Sequence, residues 1–311
     1  MSVNEKIQYD LLVITGPTAS GKTSLAVNAA SRLDGEIISA DSRQVYRGMN
    51  IGTGKDYNEY FIDGRQMPVH LIDIADPGYK YNVFEYQRDF KGVYNDLRRR
   101  DIFPIVCGGS GLYIDSIISG YRMFEVPPDS GLRAQLEKKS IEELGEILRS
   151  FKSLHNITDL DTKKRVIRAI EIEYFNNSKS DTQSTFPALR SLLIGVSIER
   201  EARRKSITRR LNQRLNSGMV EEVKELLEKG VSEEAMIYYG LEYKYITLYL
   251  AGKTGYDDMV KGLEVAIHQY AKRQMTWFRG MEKKGTIIHW IDGELPMEGK
   301  VAKIIDLLTI G

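Results

Sequence analysis

Eight consecutive residues near the start of the chain, Gly16-Pro17-Thr18-Ala19-Ser20-Gly21-Lys22-Thr23, satisfy the spacing G-x-x-x-x-G-K-[ST] in full. Glycines at the ends of such a loop let successive backbone N–H groups turn inward as an anion nest. The helix expected to follow adds the positive end of its dipole, and Lys22 adds a full charge. The chemistry is diphosphate or triphosphate binding, with the Thr23 hydroxyl offered to a magnesium ion. A second candidate, Asp41, heads the run Asp41-Ser42-Arg43-Gln44-Val45-Tyr46, and a third, Ser110, lies in Gly108-Gly109-Ser110-Gly111. A carboxylate beside a phosphate loop can take a proton from an attacking nucleophile. Asp41 can equally cap the next turn, and Ser110 can equally cap the helix after it.

Which elements bring these groups together? Leu11–Ile14 is an apolar run with the length of a buried strand, and Thr23–Leu33 carries Ala26, Ala30 and Leu33 at helical spacing. Glu36–Ala40 is predicted as a second strand ending at Asp41, and Ile102–Cys107 as a third ending at the Gly108 loop. Leu192–Ile198 and Thr286–Trp290 supply two more strands, and Phe84–Arg100 a helix. Alternating strands and helices predict an α/β fold with a parallel sheet flanked by helices. In such sheets ligands bind beyond the carboxyl ends of the strands, where all three candidates are expected. From Pro127-Pro128 to about Phe175 the pattern is amphipathic helix only, and Asn176–Pro187 is polar and expected to be a loop. The expected organisation is therefore a P-loop core, 1–125 with 188–311, interrupted by an all-helical insertion at 126–187.

Composition narrows the possibilities. The 311 residues hold 44 Lys and Arg against 43 Asp and Glu, so a uniformly basic nucleic-acid-binding surface is excluded and only local patches remain. A hydrophobic content of 42% excludes wholesale disorder. The single cysteine, Cys107, and four histidines exclude an intramolecular disulfide and a cysteine-rich zinc site. No apolar run is long enough to span a bilayer, and Met1–Asp10 has no signal-peptide core, so a cytoplasmic protein with no membrane partner is expected.

The phosphate loop together with Asp41–Lys55 (DSRQVYRGMNIGTGK), His70–Ile74 (HLIDI), Cys107–Tyr113 (CGGSGLY) and Ala271–Gly280 (AKRQMTWFRG) resembles the tRNA dimethylallyltransferases, also called tRNA isopentenyltransferases. The resemblance runs over nearly the whole chain. It implies a P-loop core with a helical insertion, dependence on Mg2+, and transfer of a dimethylallyl group from dimethylallyl diphosphate. The acceptor it implies is the exocyclic amine of the tRNA adenine immediately 3′ of the anticodon. Carried onto this chain, the catalytic set is Asp41, Lys22 and Ser110, with Asp41 as general base and Ser110 standing where the family usually has Thr. Residues Gly16 to Thr23 would hold the diphosphate, and Thr23 the metal. The tRNA set is Asp41, Ser42, Arg43, Gln44 and Ser110, with Arg133 and the segment Lys164, Arg165, Val166, Ile167 and Arg168 of the insertion. The bacterial-type members imply a monomer that grips the anticodon stem-loop.

The residues themselves leave alternatives. Asp73 is either a second magnesium-binding aspartate of a nucleotide-dependent kinase or merely the end of a strand. A kinase acting on a small molecule or nucleotide, able to bind ATP, is the rival reading, and a non-catalytic RNA-binding module is a third. Arg200, Arg203, Arg204, Lys205, Arg209, Arg210 and Arg214 form a basic run, and Lys163 with Lys164, Arg165 and Arg168 a second. Such runs are commonly solvated helix faces, and the resemblance makes them RNA-facing. The tyrosines 238, 239, 243, 245 and 249 are expected to pack rather than stack on bases. His268 is expected to be structural. The family's diphosphate-contacting arginine has no evident counterpart between Met236 and Glu242.

Overall fold

The computed structural model describes residues 7–120, 124–151, 160, 162–178 and 188–309. The chain divides into two compact units, one formed by Met1–Tyr121 with Phe186–Gly311 and the other by Arg122–Thr185.

The larger unit is built on a parallel sheet. Strands β1 (Leu11–Thr15) and β2 (Gly35–Ser39) come first, then the two-residue β3 (Phe61–Ile62), β4 (Arg65–Gln66) and β5 (Val69–His70). The sheet continues with β6 (Phe103–Gly108), β7 (Ser191–Ser197) and β8 (His289–Asp292). Six of these lie side by side in the order β5-β2-β6-β1-β7-β8, every pair parallel, while β3 and β4 make a separate antiparallel hairpin. All five residues of β1 are buried, as befits a central strand covered on both faces. Helices α1 (Lys22–Leu33), α2 (Val83–Arg99) and α3 (Gly111–Ile118) follow strands or their loops in the first half. The last strands of the sheet, β7 and β8, come from the far side of the insertion, so the sheet is closed by residues about 180 positions from β1.

Two apolar clusters cover the sheet. Leu12, Ile14, Leu25, Ala26 and Ile304 pack on one side, and Leu11, Val13, Phe90, Ile114 and Phe278 on the other. The remaining helices of this unit are α7 (Arg200–Asn216), α8 (Met219–Glu228), α9 (Glu233–Tyr238), α10 (Leu241–Leu250), α11 (Tyr256–Lys283) and α12 (Met297–Thr309); α12 contributes to the first cluster and α7 to α11 to the second. Tyr239 and Tyr243 are buried in the same layer at 1% exposure, which is the packing role expected of the tyrosine cluster.

The smaller unit is helical among its described residues: α4 (Ser130–Leu136), α5 (Ile141–Phe151) and α6 (Lys163–Ser178). Its core is Leu136, Leu144, Leu148, Val166, Ile167 and Ile170. Helix α6 runs three residues into the stretch expected to be a polar loop, because Phe175 and its neighbours continue the turn. The rest of that stretch, 179–187, lies outside the described residues.

Candidate active site

The phosphate loop leaves β1 and enters α1. At Gly16 the backbone takes φ +147°, and a Cβ there would stand 2.7 Å from the Val196 carbonyl of β7, so only glycine fits. Ala19 and Gly21 adopt left-handed backbone conformations, which turn the loop back on itself ahead of α1. Lys22 Nζ donates to the Pro17 carbonyl at 2.8 Å and so bridges the loop. Burial pulls the Lys22 ammonium below its usual range; Arg210 pushes the same way and Asp41 opposes. Ser20 is 3% exposed, and its Oγ has no hydrogen-bond partner among the described residues. A buried hydroxyl left unpaired is costly, and an anion oxygen in the nest would satisfy it.

Beside the loop lies a cavity of about 560 Å³ whose walls include Ser20, Gly21, Lys55, Arg209, Arg210 and Arg214. Arg210 donates to Asp56 Oδ2 at 2.7 Å, and Arg214 lies 3.7 Å from the same oxygen. The structure therefore separates the basic run of α7. Arg210 and Arg214 are part-buried beside the phosphate loop and Arg209 reaches the wall of the same cavity, whereas Arg204 and Lys205 are exposed and line no part of it. Glu242 shares a small recess with Thr18, Arg210 and Arg214. Burial raises the Glu242 carboxyl above its ordinary range, with Arg214 opposing.

The second candidate stands at the end of β2. Asp41 Oδ1 accepts the Arg43 N–H at 2.9 Å, closing a local turn through one oxygen. Ser110 precedes α3 but makes no capping bond; instead its Oγ accepts the Ser42 N–H at 2.9 Å and lies 3.3 Å from the Ser42 hydroxyl. The β2 and β6 loops are thus joined, which requires Gly108, since a Cβ there would fall 2.2 Å from the Ala40 carbonyl. Gln44 does not face this junction; its side-chain amide donates to the Gly54 carbonyl at 3.1 Å and holds the loop after Met49. Glu222 of α8 secures that same loop by accepting three successive N–H groups, from Asn50, Ile51 and Gly52.

Gln274 of α11 is a positioning residue that local sequence reasoning does not reveal. Its Oε1 accepts the Thr18 N–H at 2.8 Å and its Nε2 donates to the Gly109 carbonyl at 2.9 Å, tying the phosphate loop to the β6 loop. The only sequence signal was its place in the Ala271–Gly280 motif. On the side of Ser42 and Ser110 a cavity of about 370 Å³ opens, walled by Arg43, Tyr113, Tyr238, Tyr270, Arg273 and Trp277 among others.

Other candidates fall elsewhere. Asp73 follows the edge strand β5, which is not adjacent to β1 but separated from it by β2 and β6, and its carboxylate is already engaged by Lys55 and Tyr57. His268 faces Glu264 one turn earlier on α11 at 3.7 Å. Among the described residues no group of three or more His, Cys, Asp or Glu is placed to hold a metal ion. The donor set fits a hard divalent cation only in the way Mg2+ is usually held, through one hydroxyl oxygen, Thr23, and the oxygens of a bound diphosphate.

In the helical unit the proposed RNA contacts divide. Val166 and Ile167 are buried at 0% and 3% in its core, so their side chains are packing groups and cannot present themselves to RNA. Glu171, on α6, accepts two bonds from Arg133 at 2.9 and 2.8 Å and a third from Arg168. Arg168 also donates to the Val126 carbonyl at 2.8 Å. Burial opposes ionisation of Glu171, but these arginines and the Asp129 N–H outweigh it and draw the carboxyl down to about 2. Arg133 and Arg168 therefore bind the unit together; the side chains of Lys164 and Arg165 are solvent-exposed on α6.

Comparison with known proteins gives a consistent answer. The sequence matches the family described as IPP transferase over residues 44–281 and the one described as isopentenyl transferase over residues 9–71. A Bacteroides fragilis protein named tRNA dimethylallyltransferase 2 is 61% identical over 293 residues, covering 94% of this chain and 96% of that protein. The structure of a tRNA isopentenylpyrophosphate transferase from Bacillus halodurans superposes with a TM-score of 0.70 at 30% identity, covering 96% of this chain and 95% of that one. A tRNA isopentenylpyrophosphate transferase from Staphylococcus epidermidis gives a TM-score of 0.68 at 32% identity, covering 96% and 97%. No helix among the described residues is long and apolar enough to cross a membrane.

Proposed function

The chain belongs to the IPP transferase family, and from that membership and the geometry of the site we propose that it transfers a dimethylallyl group from dimethylallyl diphosphate to the exocyclic amine of the adenine 3′ of the tRNA anticodon. The observation that carries the reading is the meeting, at one edge of the sheet, of an anion nest with a carboxylate and a hydroxyl from the next two strand ends. Gln274 joins the two halves of this arrangement.

In this mechanism the diphosphate lies in the loop Gly16 to Thr23, with Ser20 Oγ and Lys22 donating to its oxygens. Pro17 and Ala19 contribute backbone only. Arg210 and Arg214 supply the guanidinium charge that the stretch from Met236 to Glu242 lacks. The adenine amine attacks the allylic carbon as the bond from that carbon to the diphosphate oxygen breaks, and the amine proton passes to the free oxygen of Asp41. The leaving electron pair stays on the diphosphate, where Lys22 and the loop's N–H groups stabilise the growing negative charge. Mg2+, held by Thr23 and the diphosphate itself, would supply further neutralisation of that charge. Ser110 and Ser42, already joined by a hydrogen bond, orient the acceptor base, with Arg43 beside them.

A duplex-buried base cannot reach such a site, so the adenine is taken out of the anticodon loop. The insertion, 126–187, is proposed to hold the anticodon stem through Lys164 and Arg165, with Arg133 and Arg168 fixing its shape. The enzyme is proposed to act in the cytoplasm as a monomer. The test is incubation with dimethylallyl diphosphate, Mg2+ and unmodified tRNA, followed by diphosphate release and mass analysis of the tRNA nucleosides. Prenylated adenosine is the expected product. In a parallel incubation with ATP in place of dimethylallyl diphosphate, conversion to ADP with a phosphorylated acceptor and no prenylated nucleoside in either reaction would replace this reading by a kinase.

A further inference from the structure

Among the tyrosines of the 238–249 cluster, Tyr238 is presented differently. Its neighbour Tyr239 is buried, with its hydroxyl bonded to the Gly78 N–H and, at 3.1 Å, to the Tyr79 carbonyl. Tyr238, by contrast, is 43% exposed at the end of α9 and lines the cavity that contains Ser42 and Ser110. Its ring meets that of Tyr239 edge-on at 5.7 Å, so it is mounted on a rigid base. Two cations from other parts of the chain approach it: the Arg43 guanidinium at 5.3 Å from the ring centroid and the Lys80 ammonium at 5.7 Å. In the same cavity wall Arg273 lies 5.9 Å from the Tyr270 ring.

An aromatic ring held rigidly with cations over it, yet still 43% exposed, keeps part of its surface in water and so adds less to the folded core than its buried neighbour does. It suits an unpaired nucleotide, whose base stacks on the ring while its phosphates meet the cations. Taking one adenine out of the anticodon loop breaks the stack on both sides of it, and the neighbouring bases then need a new surface. We propose that Tyr238 is the stacking platform for a base adjacent to the acceptor adenine, with Arg43 and Lys80 facing the phosphates on either side of it. This inference rests on the proposed transfer to tRNA, and it adds a substrate-holding residue outside the reacting centre.

The experiment compares wild type with Y238L, Y238F and Y238W in steady-state transfer to an unmodified anticodon stem-loop. A second set of RNAs carries 2-aminopurine at each position flanking the adenine. Loss of one stacked base corresponds to a rise in KM for RNA of roughly 5- to 150-fold in Y238L. The kcat at saturating RNA should change less than about twofold. Y238F and Y238W should stay near wild type, because both retain a π face. The slope of log KM against log salt should be the same in Y238L as in wild type, since stacking releases no counterions. Quenching of 2-aminopurine on binding should occur with wild type and vanish with Y238L. Wild-type activity with an unchanged KM in Y238L would overturn the platform and leave the transfer reaction standing. Equal losses in Y238L and Y238W, or a flattened salt slope in Y238L, would also overturn it. A wild-type protein that fails to prenylate the RNA would overturn the transfer reaction, and the platform with it.

Discussion

Two carboxylates, Glu171 of the helical unit and Asp41 of the larger one, are treated in opposite ways. In the helical unit Glu171 is buried and surrounded: Arg133, Arg168 and the Asp129 N–H all donate to it, and its charge is consumed in holding α4 and α6 together. At the carboxyl ends of the strands in the larger unit Asp41 accepts the Arg43 N–H through one oxygen, while Ser20 is buried with no partner for its hydroxyl among the described residues. Buried polar groups that serve structure are saturated, whereas those reserved for a ligand are left incomplete at a cost in stability. The contrast teaches that charge density along the sequence does not by itself mark a binding surface.

Breaking the incomplete side should have the largest effect. Asp41→Ala is expected to lower the rate of transfer about 10²–10⁴-fold, the range for loss of a general base, with dimethylallyl diphosphate binding little changed. Single-turnover kinetics beside equilibrium binding would separate the two, and turnover near wild type would remove Asp41 from the mechanism. Lys22→Ala should come next, slowing the chemical step about 10²–10³-fold and weakening diphosphate binding, with RNA affinity nearly intact in the absence of the diphosphate substrate.

Breaking the saturated side should cost stability and leave the chemistry alone. Glu171→Ala removes an acceptor from two arginines and should destabilise the helical unit by about 1–3 kcal/mol, visible as faster amide exchange across Lys163–Ser178 than across β1. The sign of its pH dependence follows from the depressed carboxyl. The stabilisation is complete above the ordinary glutamate range and is lost as pH falls through it toward about 2. Protection of α6, corrected for intrinsic exchange, should therefore fall between about pH 4.5 and pH 2 in the wild type and stay flat in Glu171→Gln.

The smallest effect sharpens the comparison most. Lys164→Ala is expected to flatten the slope of log RNA affinity against log salt by about one unit at unchanged stability. Arg168→Ala should instead lower stability, because its guanidinium is already engaged by Glu171 and Val126. If both variants flattened the slope equally without loss of stability, the distinction between Lys164 and Arg168 would be wrong.

What could be read from the residues alone was whatever is local. The phosphate loop is a contiguous motif whose strand, turn and helix are encoded within about twenty residues, so β1, Gly16–Thr23 and α1 were legible, as were the ends of β2 and β6 where Asp41 and Ser110 stand. Helical periodicity marked α4 to α6 as the material of a separate helical segment. The resemblance to tRNA dimethylallyltransferases rested on such contiguous motifs as well. Three other features were decided only when the chain folded. Gln274 reaches Thr18 across 256 residues. The basic run of α7 divides, because residues four apart, Arg210 and Arg214, share the face turned to the phosphate loop while Arg204 and Lys205 face water. Val166 and Ile167, inside a basic segment, are carried into a core by the same periodicity that exposes Lys164 and Arg165. A sequence states which side chains are present and, over one or two turns, which face each takes. Which of them find a partner depends on surfaces brought together from distant parts of the chain, and only the tertiary structure brings them together.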